Sequence, residues 1–404
     1  MTDKAVLWTP TAENERLPLL DVLRGVAILG ILLVNIGMFS GPSREPGYVA
    51  VSGTTADVVV DTAVLFFVNG KSYLLFAFLF GLGFALQIER SSVRGSPISL
   101  PYLRRLALLF VIGMLHLVLL WEGDILAMYA VLGIGLVLIR KWSSRALLVA
   151  AMVLLMVSPV AEWLFYQHTS HVWGVGSPQA SATETTPAQQ AAAVYGHGRY
   201  LDLVAYRVER LPDYGARIWS NQGAGAFAGF LLGLYAGRRR FLQSISGQAA
   251  RWRARMPWLV GAALATNLIY IVAFKQDHVR LEVLFLTIGG PLLCFLYVVG
   301  LGLLVNEPRW RSRLAPITAV GRLSLTNYLL QSVVCTTLFY GYGFGLYGHL
   351  SVVANFLIAL GVFGLQILAS IWWLKYFRFG PLEWLWRSFT YGRWQPLPKA
   401  AANR

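Results

Sequence analysis

Apolar residues in this chain come in long uninterrupted runs, and the polar residues between them form short clusters rich in arginine. A helix that crosses a bilayer needs about 20 apolar residues. Runs near that length predict spans at 19–39, 72–88, 103–120, 125–139, 146–165, 218–236, 258–274, 283–305, 317–340 and 352–374. The expectation is an all-α polytopic integral membrane helix bundle of about ten spans, a single membrane domain over 1–404. The stretch 58–68 is too short to cross. It ends at Asn69-Gly70-Lys71, a turn signal, which predicts a re-entrant or tilted segment near 58–69.

The basic residues orient the bundle. With the N-terminus inside and sides alternating, Arg90, Arg94, Arg104, Arg105, Arg140, Lys141 and Arg145 fall inside. So do the clusters 238–240, 251–255 and 309–313 and the tail from Lys375. Arg44, Lys71, Arg199, Arg207, Arg210, Arg217, Lys275 and Arg280 fall outside, a small minority of the 34 Lys and Arg. This asymmetry predicts an even span count with both termini cytoplasmic, in a bacterial inner membrane. The segment 168–217 becomes an extracytoplasmic loop. Its first part is rich in Ser, Thr, Ala, Gln and Pro and reads as flexible. Its second part sets Leu201, Val204, Val208 and Leu211 at helical spacing, an amphipathic surface helix. The cytoplasmic segment 375–404 carries a short interfacial helix opened by Pro381, with Trp384 and Trp386.

Composition changes the picture little. Charged residues are 13% of the chain against about 25% in soluble domains. The net charge of +15 lies between apolar runs, not on one aromatic-bearing face, which argues against nucleic-acid binding. Cys294 and Cys335 sit inside apolar runs without CxxC or metal spacing, so reduced packing residues and no metal are expected. No cleavable signal is legible, and the first run reads as an anchor.

Polar groups inside apolar runs are expensive and therefore informative. Asp21 and Arg24 lie three apart on one face of the first span: a helix-start ion pair, or a phosphate anchor. Asn35, three turns deeper, could serve an oxyanion or bridge helices. Arg104 and Arg105 open the third span, and suit an anionic ligand or a lipid headgroup. His116 lies about 18 Å further along at 1.5 Å per residue. It is a candidate general base, or a histidine bonded between helices. Asp124 or Glu122, just past that helix, could orient it. Arg322, Ser324, Thr326, Asn327, Gln331 and Ser332 crowd one span, lining a cavity or joining helices. Lys71, Glu122 and Asn327 are candidates for the acceptor side. Glu383 could pair with an inner arginine.

At these residues the chain resembles the YeiB-like (DUF418) membrane proteins. The matching stretches include LPLLDVLRGVAILGILLVNIGMFS, GKSYLLFAFLFGLGFALQIER, RRLALLFVIGMLHLVLLWEGDILAMYAVLG, GAFAGFLLGLYAGRRR, GRLSLTNYLLQS and FGPLEWLWRSFTYGRWQPL. That family in turn resembles the transmembrane acyltransferases, the lysosomal heparan-glucosaminide N-acetyltransferases and acyltransferase-3 proteins among them. The shared pieces are the LDVLRG-type start, Val34-Asn35 and the paired arginines opening a later helix. The resemblance implies transfer of an acyl group, acetyl in the simplest case, from cytoplasmic acyl-CoA to an extracytoplasmic sugar or lipid acceptor. Arg24, Arg104 and Arg105 would hold the phosphates beside Asp21, His116 would act as base steered by Asp124, and Asn35 would steady the oxyanion. The heparan enzymes carry a histidine shortly after that Asn, and here none occurs between Asn35 and His116. Two alternatives stay open: a transporter or exporter of a small molecule or lipid, and a non-catalytic lipid- or quinone-binding protein. The Gly and Ala content of the helices allows a homodimer.

Overall fold

The computed structural model describes residues 17–42, 53–93, 99–172, 187–276 and 278–399. Arg44, Arg94 and the Ser/Thr-rich part of the long loop at 173–186 lie outside the described residues. Described residues form helices throughout and no strand, with one isolated bridge between Phe377 and Pro398. In chain order the helices are α1 (Pro18–Phe39), α2 (Thr55–Phe67), α3 (Lys71–Val93), α4 (Ser99–Leu115), α5 (Leu126–Leu138) and α6 (Ser144–Val172). Three short helices follow, α7 (Pro187–His197), α8 (Tyr200–Glu209) and α9 (Leu211–Ile218). The rest are α10 (Ala224–Arg238), α11 (Phe241–Gly247), α12 (Ala249–Lys275), α13 (Val279–Val305), α14 (Pro308–Arg322), α15 (Ser324–Phe339), α16 (Val352–Tyr376) and α17 (Pro381–Tyr391).

Six helices among the described residues are long and apolar enough to cross a membrane: Pro18–Phe39, Thr55–Ser92, Leu100–Leu120, Ala249–Lys275, Leu284–Val305 and Val352–Tyr376. Leu126–Leu138 and Ser144–Ser158 are shorter apolar helices. The burial pattern is that of a membrane protein. On α16, Leu357, Leu365, Leu368 and Trp372 are each more than half exposed, while Asn355, Gln366 and Ser370 are buried. A soluble surface would not present such a stripe. Facing lipid, it costs nothing, and the polar groups must then find partners inside.

Two departures from the apolar pattern bear on the site. The stretch 58–68 is a true helix, α2, opened by a capping box between Thr54 and Asp57. It turns into α3 at Gly70, whose φ of 75° suits glycine. The run 317–340 is broken at Leu323 into α14 and α15. The break has a tertiary cause. Glu383 Oε1, from α17, accepts from Leu325 N (2.7 Å) and Thr326 N (3.1 Å), and Thr326 Oγ1 donates to Oε2 (2.6 Å). A side chain 58 residues away thus caps the N-terminus of α15. The hydrogen bonds of Glu383 go to α15, and the inner arginine beside it, Arg387, feels its charge through space.

Glycines let the central helices touch. On α10, Gly225, Gly229, Gly233 and Gly237 recur every four residues, and Cβ atoms at the last three would run into α3. Gly81 returns the contact from α3, where a Cβ would overlap Phe230 O. This is the small-xxx-small packing of membrane helices. Likewise Gly25 on α1 and Gly321 on α14 bring those backbones together.

The basic clusters gather at one end of the bundle. Arg238 donates to the Arg140 and Trp142 carbonyls, Arg240 pairs with Glu89, and Trp386 Nε1 donates to Arg105 O. The stretch that carries Leu201, Val204 and Val208 is helical, as α8, and its buried face is Leu203, Tyr206 and Arg207. Leu201, expected on the apolar stripe, is 75% exposed.

Candidate functional site

α4 ends in a widened turn over His116–Leu120, closed by Trp121 N donating to His116 O at 2.8 Å. Such π-type turns recur at functional sites. The chain then reverses and Asp124 starts α5: its Oδ2 accepts from Ala127 N at 2.8 Å. Its Oδ1 lies 2.9 Å from His116 Nδ1. One oxygen is spent on the helix start, the other on the imidazole. Gly113, one turn before His116, makes room. A Cβ there would overlap Ala127 N and sit 2.8 Å from Asp124 Oδ2.

The second ring nitrogen is also occupied. His116 Nε2 lies 2.7 Å from Ser332 Oγ on α15. A carboxylate only accepts, so Nδ1 carries the proton, and in the neutral imidazole the Ser332 hydroxyl donates to Nε2. His116, Asp124 and Ser332 are each at most 2% exposed. The imidazole is boxed by the rings of Tyr328 (5.3 Å) and Trp121 (6.4 Å).

Two cavities approach this core. One, of about 620 Å³, is lined by Asp21, Arg24, Arg90, Arg105, Arg322, Arg378, Glu383, Trp386 and Arg387, among others. The guanidiniums of Arg24 and Arg387 both act on Arg105. Burial lowers the pKa of Arg387, on α17. Arg105 stacks over Trp386 at 4.1 Å, and its Nε is buried without a hydrogen-bond partner among the described residues. Asp21 answers Arg24 at 3.0 Å, and Glu383 is spent on α15. Six arginines against three carboxylates, Asp21, Glu89 and Glu383, leave the lining of this cavity positively charged. The other, of about 390 Å³, is lined by Asn35, Asn69, Ser72, Asp124, Ser158, Gln222 and Arg217, with apolar neighbours. Ile31, Ile125 and Tyr328 line both cavities and form the septum between them.

Of the residues singled out from sequence, the fold brings His116 and Asp124 together, sets Asp21, Arg24 and Arg105 on the arginine-lined cavity, and sets Asn35 on the other. Four sit elsewhere. Arg104 is exposed and does not line the arginine cavity, because neighbours on a helix point about 100° apart and Arg105 takes the inward direction. Glu122 lies 3.6 Å from the buried Arg207, so Asp124 alone of the two carboxylates meets His116. Lys71 is 1% exposed, donates from Nζ to Leu65 O at 3.0 Å and lies over the Tyr270 ring at 4.9 Å. It anchors the α2–α3 turn and leaves the cavity wall to Asn69 and Ser72. Asn327 donates to Val320 O (3.2 Å) and Ser370 Oγ (3.1 Å), and Gln366 Nε2 donates to its carbonyl (2.8 Å). It joins α14, α15 and α16.

Sequence reasoning placed Ser332 only in a polar group and did not single out Tyr328. Ser332 pairs with a residue 216 positions away, and no spacing rule reaches that far. The one available signal was the density of hydroxyls and amides on that span. No group of three or more His, Cys, Asp or Glu with metal-binding arrangement occurs among the described residues.

Known proteins match this sequence over nearly its whole length. The chain is 37% identical over 410 residues to the uncharacterized protein YxaH of Bacillus subtilis (strain 168), covering 96% of this chain and 98% of that protein. It is 32% identical over 403 residues to the uncharacterized protein YeiB of Escherichia coli (strain K12), covering 93% and 96%. An uncharacterized 39.9 kDa protein from the amylase 3' region of Bacillus acidopullulyticus is 30% identical over 393 residues, covering 96% and 97%. Residues 236–393, which carry the serine, the tyrosine septum and the α17 cap, match the family described as Protein of unknown function (DUF418). Similarity running end to end through both halves of the site makes this chain a member of the DUF418 family.

Proposed function

We propose that the chain is a membrane-embedded acyltransferase that takes an acyl group from cytoplasmic acyl-CoA and places it on an extracytoplasmic sugar or lipid acceptor. In this reading the bundle has ten spans, with α10 and the broken α14–α15 pair crossing beside the longer helices. Both termini face the cytoplasm of a bacterial inner membrane, since the arginine-rich end belongs inside. The observation that carries the proposal is the pair of cavities meeting at Tyr328 beside the buried His116–Asp124 pair. The arginine-lined cavity matches a phosphate-rich donor, because planar guanidinium forks suit phosphate oxygens. Its size is that of a ligand pocket, about 300–1,000 Å³. The amide- and hydroxyl-lined cavity suits a hydroxylated acceptor. His116 is the base, Asp124 holds its tautomer, and Asn35 serves the oxyanion or the acceptor.

The test is calorimetric binding of acetyl-, octanoyl- and palmitoyl-CoA to the detergent-purified protein. Binding of one of them, weakened at least tenfold by Arg105→Ala and retained in His116→Ala, supports the reading. Absence of binding by all three refutes it. Two cavities on either side of one septum also suit a transporter of an amphipathic anion. That second reading predicts accumulation of substrate in proteoliposomes that persists in His116→Ala.

A further inference from the structure

We propose that acyl transfer runs in two steps through an ester on Ser332. The inference rests on the acyl-transfer reading and deepens it by naming a covalent carrier. Asp124, His116 and Ser332 form one hydrogen-bonded chain, 2.9 Å from carboxylate to Nδ1 and 2.7 Å from Nε2 to the hydroxyl. A hydroxyl against a base, with the base oriented by a third group, is the wiring of an activated nucleophile. It recurs on unrelated folds and is recognised by geometry. Three local features are shaped to build it here. α4 widens into its last turn at His116, Gly113 yields space to Asp124, and the Glu383 cap starts the helix that carries Ser332.

Tyr328, four residues before Ser332 on α15, supplies the other need of ester chemistry. Its hydroxyl is buried with the Ile125 backbone N–H against its oxygen, its proton meets no acceptor in hydrogen-bond geometry among the described residues, and its side chain lines both cavities. It is the donor offered to a tetrahedral oxyanion. Ser332 lines neither cavity, so the acyl carbon reaches it past Tyr328, through a side-chain rotation that keeps the phenol hydroxyl on the carbonyl oxygen.

In the first step Ser332 Oγ attacks the carbonyl carbon of acyl-CoA and its proton passes to His116 Nε2. The C–O bond forms, the C–S bond breaks, and His116 returns the proton to the departing thiolate, releasing CoA as the thiol. In the second step an acceptor hydroxyl or amine gives its proton to His116 and attacks the ester carbonyl. Ser332 leaves and is reprotonated by His116. A carrier at the septum lets the acyl group change cavities without both substrates being present together.

The experiment uses the full chain in detergent with radiolabelled acetyl-CoA, or whichever of the three acyl-CoA probes binds, and no acceptor. The expected result is about one acyl group per chain, on the peptide containing Ser332, released by alkaline hydroxylamine, with a matching burst of free CoA thiol. Ser332→Ala should lose the label while still binding acyl-CoA and eluting as a monodisperse species. Ser332→Cys should recover a label that neutral hydroxylamine removes, as a thioester requires. Label on another residue, or no label on a wild-type chain that binds the acyl-CoA, overturns the carrier and leaves direct transfer standing. Failure of all three probes to bind overturns both.

Discussion

The cap on α15 offers the sharpest test of the fold because it needs no knowledge of the ligand. Replacing Glu383 with alanine removes the acceptor of two backbone N–H groups and of the Thr326 hydroxyl, at a residue 8% exposed. Each orphaned buried donor costs about 1–3 kcal/mol. Glu383 lines the arginine cavity, so water can replace part of what is lost. The expected net is about 2–4 kcal/mol, at the upper end of single substitutions. Glutamine keeps a carbonyl oxygen for the two N–H groups and should cost about 1 kcal/mol, one side-chain hydrogen bond. The assay is reversible unfolding in mixed micelles by titration with denaturing detergent, followed by tryptophan fluorescence. An alanine variant within about 0.5 kcal/mol of wild type, the range of ordinary surface substitutions, would refute the claim that α17 starts α15.

Further outcomes follow from other residues. Burial pushes the Glu383 carboxyl above its ordinary 4.5, so the folded state binds the proton more tightly than the unfolded one. That contribution is fully present below the unfolded value and is lost as pH rises through the folded one; the same titrations should show wild type losing stability over that window and Glu383→Gln staying flat across it. Gly233→Ala drives a Cβ into α3 and should destabilise by about 1–3 kcal/mol, whereas Gly364→Ala, open on α16, should stabilise by up to about 1 kcal/mol; thermal scans of both variants decide it. Asp124→Asn keeps an oxygen for Ala127 N but loses the charge beside a developing imidazolium, about 4 kcal/mol near 4 Å at an effective dielectric of 20. Transfer should fall about 10³-fold with acyl-CoA affinity unchanged, measured as rate and by calorimetry.

The membrane character of the fold was legible because apolar length is a local property. The family was legible through stretches such as GPLEWLWR. The pairing of His116 with an acid just past its helix could be read because the two are eight residues apart across one reversal. The choice between Glu122 and Asp124 could not, since it depends on which of them starts α5 and which meets Arg207. The run 317–340 looked continuous because its hydropathy is continuous; Glu383, 58 residues after Leu325, interrupts it. Lys71 and Asn327 resembled ligand residues because a buried polar group looks the same from sequence whether it faces a substrate or another helix. Only the partners, Leu65 O and Tyr270 for one, Ser370 and Gln366 for the other, separate the cases.

The glycine ladder of α10 fixes which parts of this molecule can act as machinery. Backbone seated on backbone leaves no rotamers to rearrange, so α3 and α10 behave as a stator. Tyr73, Phe76 and Phe80 on α3 line the cavities, and that wall stays put. The opposite wall is α17 and the start of α15, tied by a few side-chain bonds, Glu383 to α15 and Trp386 to Arg105 O. α17 is the wall that can yield, and any displacement of it slackens the cap on the helix that bears Ser332.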